Sequence, residues 1–155
     1  MEYREDKKSN DLFFICSLID YVARKTKNTR KDTVNGLGIE NIKKIYDLAD
    51  VYHCENIDKV AEEFIEKSAL KAGVFDNVAA CKYSVPTYWD IGKVYKRLIL
   101  GVAKNRRENS DVIGILFEVY NSWITEYIDD YNSNMYYSNP DFIFQSYLEG
   151  KVLEE

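Results

Sequence analysis

One histidine, two prolines and three cysteines in 155 residues leave few of the parts that metal or covalent chemistry needs. His53-Cys54-Glu55 is the nearest approach to a ligand cluster. Adjacent residues project about 100° apart on a helix, so these three do not converge on one ion, and no second histidine or Cys-x-x-Cys supports them. We read His53 as helix-end packing. A thiol–imidazole pair is not expected either: Cys16 and Cys81 could approach His53 only through the fold, and Cys16 lies within an apolar stripe. Three scattered cysteines read as reduced, mostly buried thiols of a cytosolic protein. The chain implies no cofactor.

Glycine is sparse, and its one cluster makes no phosphate loop. Asn35-Gly36-Leu37-Gly38-Ile39 lacks a third glycine at the dinucleotide-binding spacing, a preceding strand and a Lys-Ser/Thr pair, so a helix stop and tight turn is expected. Long apolar runs are missing too. Leu12 to Ile19 is broken by Ser17 and falls short of a membrane span. The opening Met1 to Lys8 has no apolar signal core. A cytoplasmic protein without a membrane partner is expected.

What is present is ordinary globular material. Hydrophobic residues make up 46% and charged residues 30%, enough to bury a core and to exclude wholesale disorder. The length suits one domain. A net charge of −5 argues against nucleic-acid binding driven by bulk charge. Thirteen tyrosines suit contact surfaces, because Tyr buries area while keeping a polar tip; AT-rich codon usage is a second source of such a surplus.

Charge falls in blocks. From Lys82 to Arg107 seven basic residues face one acid, Asp90; from Glu108 onward ten acids face one base, Lys151. Neighbouring helices should therefore carry opposite fields, suited to docking within the fold or on a partner.

Apolar periodicity predicts an all-α fold, a single-domain bundle of about six or seven helices with no convincing strand. The first is expected from about Asp11 to Lys25, lined by Leu12, Ile15, Cys16, Ile19 and Val22. A short helix from Arg30 to Asn35 follows, with Thr29 as its N-cap. Further helices are expected from Ile39 to Tyr52, and from an Asn56 cap to about Leu70. Residues 73–85 form the best subdomain joint. Pro86 should sit in the first turn of a helix reaching Ala103. Ser110 should cap the longest helix, Asp111 to Tyr131, antiparallel to the one before it. Asn139-Pro140 opens the last helix and Gly150 closes it.

Carboxylates offer little chemistry by their placement. Glu62, Glu63 and Glu66 share a helix with Lys59 and Lys67, the pattern of a solvated face. Asp129-Asp130 sit near a helix C-terminus, where the dipole disfavours acids; of two readings, a site for a basic partner and exposed solvated charges, the second is expected. Two binding readings remain. The favoured one is protein binding through Lys93, Lys96 and Arg97 of the basic block with Tyr136 and Tyr137, neutral aromatic anchors of the type enriched at hot spots. Its counterpart is that the two charge blocks meet internally and that Met135, Tyr136 and Tyr137 fold over the core. The alternative function is DNA binding through a helix-turn-helix outline, with Arg30, Lys31, Asn41, Lys43 and Lys44 as contacts beside the acid-free basic run Arg24 to Lys31.

Asp11 to Ala23 with its paired phenylalanines, then Ile45-Tyr46-Asp47-Leu48-Ala49-Asp50-Val51-Tyr52-His53, then Asn56-Ile57-Asp58-Lys59-Val60, together resemble small uncharacterised all-helical bacterial proteins. Some of those are thought to neighbour toxin genes, so the resemblance implies an antitoxin or accessory role. It spans about residues 11–65; Val85 to Ile99 has no counterpart in it, and no catalytic residue carries over. The expectation is a non-enzymatic protein-interaction module, a regulator or antitoxin whose partner is another protein, with homo-oligomerisation left open.

Overall fold

A hydrophobic stripe on the first helix organises the rest. In a computed structural model, which describes residues 2–106 and 111–154 with side chains from residue 7 onward, α1 runs Glu2–Thr26. It begins earlier than the apolar pattern indicates, because the polar stretch ahead of Asp11 contains no glycine or proline to stop it. Leu12, Ile15, Cys16, Ile19 and Val22 are fully buried.

The described residues form helices and no strand. After α1 come α2 (Arg30–Leu37), α3 (Ile39–Asp47), α4 (Ala49–Tyr52), α5 (Ile57–Ser68), α6 (Asn77–Ala80), α7 (Tyr88–Arg106), α8 (Val112–Tyr120), α9 (Ile124–Asp129) and α10 (Pro140–Glu149). Ten helical segments replace the expected six or seven for identifiable reasons. Leu48 leaves helical geometry (φ −111°, ψ 23°) and divides the expected Ile39-to-Tyr52 helix into α3 and α4. Residues 121–123 divide the expected Asp111-to-Tyr131 helix into α8 and α9. The uncertain joint contributes α6.

Local chemistry explains the ends. Thr29 accepts from the Asp32 amide, and Gly38 stops α2 at φ +84°, a conformation that costs glycine little. Asn56 and Asn139 cap α5 and α10 by accepting from backbone amides, and Gly150 closes α10 in the left-handed region. Pro86 is not in the first turn of α7. It precedes a reciprocal cap in which the Asp90 amide donates to Thr87 Oγ1 and the Thr87 amide donates to Asp90 Oδ2. Asp111 caps α8; the expected Ser110 cap lies outside the described residues, as do Arg107 and Glu108 at the charge reversal.

α1 packs principally along α7, and one contiguous apolar cluster draws on both with α2, α3, α5, α8, α9 and α10. The α1–α7 crossing is tight at Ser17 and Gly92: a Cβ built on Gly92 would lie 2.8 Å from the Ser17 backbone. Both residues are buried, so neither has solvent to yield into. Gly92→Ala should therefore destabilise the protein by about 1–3 kcal/mol, the usual cost of overpacking. Urea unfolding measures this; a variant as stable as the parent would show that the seam is not closely packed.

Candidate functional site

The two sets of candidate residues meet different fates, and the difference is electrostatic. In the basic run Arg24 to Lys31, most cations are already neutralised by acids of the same chain. Lys25 pairs with Asp58 and Glu62 at 2.9 and 2.8 Å, and Lys27 pairs with Asp76 at 2.8 Å. Arg24 Nε donates to Asp20, and its Nη2 donates to the Pro86 carbonyl and the Tyr131 hydroxyl.

Arg30 corrects the DNA-contact expectation most directly. It is 1% exposed, with Nε donating to Asp20 at 2.6 Å and the guanidinium also reaching Asn77 Oδ1 and the Tyr131 hydroxyl. A side chain so enclosed cannot reach a phosphate. Asp129, expected at the surface, is 4% exposed within the same cluster. Its carboxylate accepts from the Arg30 amide, which relieves an orphan donor at the start of α2, and from the Tyr95 hydroxyl at 3.0 Å. The Asn77 side chain donates to the Asp129 carbonyl. Five segments of the chain thus converge on one buried charge.

The remaining DNA candidates are scattered in role. Lys31 is exposed. Asn41 is half-buried, its amide donating to the Leu37 carbonyl. Lys43 and Lys44 are exposed but share a shallow concavity with Glu40 and Asp47, and contact with Lys67 holds the Lys44 pKa down.

Four of the five protein-contact candidates come together. Lys93, Arg97, Tyr136 and Tyr137 line one groove of about 330 Å³ between α7 and the segment entering α10. Val94, Leu98, Pro140 and Ile143 supply its apolar lining. The sequence pattern places Val94, Leu98 and Ile143 on inward faces but does not show that they form the base of a groove; the close approach of Gly101 to Phe144, 3.1 Å from a built Cβ, reveals that α10 lies against α7. Lys96, one step round the helix, faces elsewhere, its ammonium 5.6 Å from the Phe13 ring centroid. Burial first, then repulsion from Arg97 and Lys93, lowers its pKa.

The aromatic segment splits between core and surface. Met135 is buried at 3%, Tyr136 is half-buried, and Tyr137 is 82% exposed. Asn134 at φ +68° and the Tyr137 amide donating to the Asn134 carbonyl turn the chain so that Met135 enters the core while Tyr137 stands out. Tyr136 packs edge-on against both Tyr131 and Tyr137.

Among the described residues the two charge blocks meet at one ion pair, Arg106 with Glu118 at 2.6 Å. Lys93 and Arg97 have no ion-pair partner there, and Asp90, the acid within the groove, is engaged in the α7 cap.

His53 is exposed and edge-on to Phe14, in a separate cavity of about 540 Å³ that also borders Phe13 and Trp89; Lys7 and Asp11 at that rim pair with each other. No three His, Cys, Asp or Glu side chains among the described residues are grouped to hold a metal. Of the thiols only Cys16 is buried, and burial pushes its pKa to about 12; Cys54 is exposed and Cys81 half-buried, contrary to the expectation of mostly buried thiols. No helix among the described residues is long and apolar enough to cross a membrane. Comparison with family models, curated proteins and solved structures finds no match for the chain.

Two predictions concern the buried cluster. Arg30→Met removes the buried cation, leaving Asp129 without a countercharge and Asp20 with Arg24 alone, and should cost about 3–5 kcal/mol in urea unfolding; a loss below about 1 kcal/mol would mean that the guanidinium is not the cluster's counterion. Burial, opposed by Arg30 and reinforced by Asp20, raises the Asp129 pKa from 3.8 to about 7. The folded state then holds a proton that the unfolded chain releases, so this group's contribution to stability is present below about pH 4 and is lost as pH rises through about 7. Asp129→Asn, which cannot titrate, should flatten the decline of stability between those limits. Parallel stability–pH curves for the variant and its parent would refute the assignment.

Proposed function

We propose that this chain is a non-enzymatic protein-interaction domain that engages its partner at the α7–α10 groove. The observation that carries the reading is the uncompensated charge of Lys93 and Arg97, in a fold that pairs Lys25, Lys27, Arg24 and Arg30 with its own acids. Two like charges one helical turn apart repel in the free chain, and an exposed phenol beside an apolar floor adds area that water covers poorly. Charge, aromatic rim and apolar base are the ingredients of an interface core with a polar border. The resemblance of about residues 11–65 to small helical bacterial proteins supports the further proposal that this binding role is that of an antitoxin or other cytoplasmic bacterial regulator.

DNA binding is the weaker proposal. Four of the five cations of the basic run on which it rests, all but Lys31, pair with acids of the fold, and its leading contact, Arg30, is buried. Gel shifts at low salt test it directly, since phosphate-driven binding is strongest there.

The test of the protein-binding role is a photo-crosslinker, p-benzoylphenylalanine, introduced at position 137 in cells. It should give a discrete protein adduct that Lys93→Glu/Arg97→Glu removes. The protein identified, once purified, should bind the parent chain and not the double variant by calorimetry. An adduct pattern indifferent to the charge reversal, or the same as that from a label at exposed position 74, would overturn the reading.

A further inference from the structure

We infer that the groove's occupant is a short extended acidic segment in which one large apolar side chain is flanked on each side by a carboxylate. The inference rests on the reading of this groove as a protein-binding face and specifies what it takes.

Sign comes first. Lys93 and Arg97 lie on the α7 wall, and no acid of the chain pairs with either among the described residues. Lys104, two turns beyond Arg97, is exposed on the same face of the helix. Four residues apart on one face of α7, Lys93 and Arg97 also repel each other. Incoming carboxylates would relieve that repulsion, whereas a cationic segment would add to it.

Size and spacing then narrow the occupant. A cleft of about 330 Å³ lies at the small end of binding clefts, room for one large side chain and the backbone that carries it, not for a helix about 10 Å across. Lys93 and Arg97 are one turn apart, about 6 Å along the axis. Alternate residues of an extended chain repeat at about 6.6 Å and point to the same side, while the residue between them points to the other. An acid–apolar–acid triplet therefore sends both carboxylates to the α7 wall and its middle side chain to the opposite wall, where Pro140 and Ile143 are apolar and Tyr137 offers a ring. Nucleic acid fits less well. The groove presents two cations and the carboxylate of Asp90, which the Thr87 amide holds in the α7 cap; the chain carries −5 overall, and exposed Asp141 stands at the start of α10.

The experiment is fluorescence anisotropy with a fluorescein-labelled peptide having an Asp-Leu-Asp core in Gly-Ser flanks, and a second with Asp-Trp-Asp. At least one should bind the full chain saturably, and affinity should fall about tenfold or more for Arg97→Glu and for Lys93→Glu. An Asn-Leu-Asn peptide and an Asp-Asp-Leu order should bind weakly. Lys31→Glu, an equal charge change elsewhere on the surface, should leave binding intact. No binding by either acidic peptide, or binding unchanged in Arg97→Glu, overturns the inference; if the crosslink from position 137 still identifies a partner sensitive to the charge reversal, the protein-binding role stands and only the acidic motif falls. Binding of a single-stranded oligonucleotide in place of the peptides, with steep salt dependence, overturns both. Self-association that Arg97→Glu abolishes would assign the groove to a second copy and overturns the acidic-segment assignment.

Discussion

Burying one guanidinium imposes the most exacting constraint on this fold. Arg30 gives up its hydration completely, and the charge persists because Asp20, Asp129, Asn77 and Tyr131 replace the water. Burial opposes the cation, yet the neighbouring carboxylates outweigh it and hold the Arg30 pKa above its ordinary value. Such a cluster is not evidence of exceptional stability, since desolvation consumes most of the Coulombic gain. Its consequence is specificity. The partners lie on α1, on α6, at the end of α9 and just beyond it, so any packing that misplaces one of these segments leaves a buried charge unmatched, at several kcal/mol.

From that cluster the constraint passes outward to the groove by direct contact. Tyr131 accepts from both Arg24 and Arg30, Tyr136 packs edge-on against Tyr131, and Tyr137 packs edge-on against Tyr136. Met135, buried beneath the turn, anchors the segment that presents the outer ring. On the other wall, Tyr95 donates to Asp129 from the inner face of α7, the helix whose outer face carries Lys93 and Arg97. Both walls of the groove are therefore fixed by the same buried polar cluster, although none of its members lines the cavity.

The parts of this architecture visible in sequence are those set by short-range chemistry. The Thr29, Asn56 and Asn139 caps, the Gly150 stop and the inward stripes of α1 and α7 depend on neighbours within a turn or two, and each is legible as a local pattern. The Arg30 cluster is not. Apart from Asp20, ten positions away, the Arg30 contacts join residues roughly fifty to a hundred positions apart, and residue type alone assigns Arg30 and Asp129 to solvent. The breaks at Leu48 and after Tyr120 are hidden because apolar periodicity continues across them and no glycine or proline announces them; after Tyr120 the Asn121, Ser122 and Thr125 side chains donate to the Phe117 and Val119 carbonyls. At the groove, block charge and the aromatic run pointed to Lys93, Arg97, Tyr136 and Tyr137, which do share a cavity, while Lys96 was separated by its angle around α7. That angle follows from helical geometry, but its meaning depends on knowing that α1 with Phe13 lies on that side.

The contrast between the two basic regions bears on how binding energy would be distributed. Around Arg30 the electrostatic requirement is satisfied at folding, so these charges have little left to offer a partner. Along the outer face of α7 the requirement is unmet at folding, and the free chain carries the repulsion. A ligand that supplies the missing carboxylates binds the folded state and not the unfolded one, so its binding free energy adds to stability by mass action. Most of that gain need not be spent on ordering the site, because Met135, the Tyr131–Tyr136 packing and the α7–α10 contact at Gly101 already hold the walls in place. A groove preformed by one charge cluster and left electrostatically incomplete by another is suited to recognise a small complementary segment, with specificity set by the spacing of Lys93 and Arg97 more than by the area they cover.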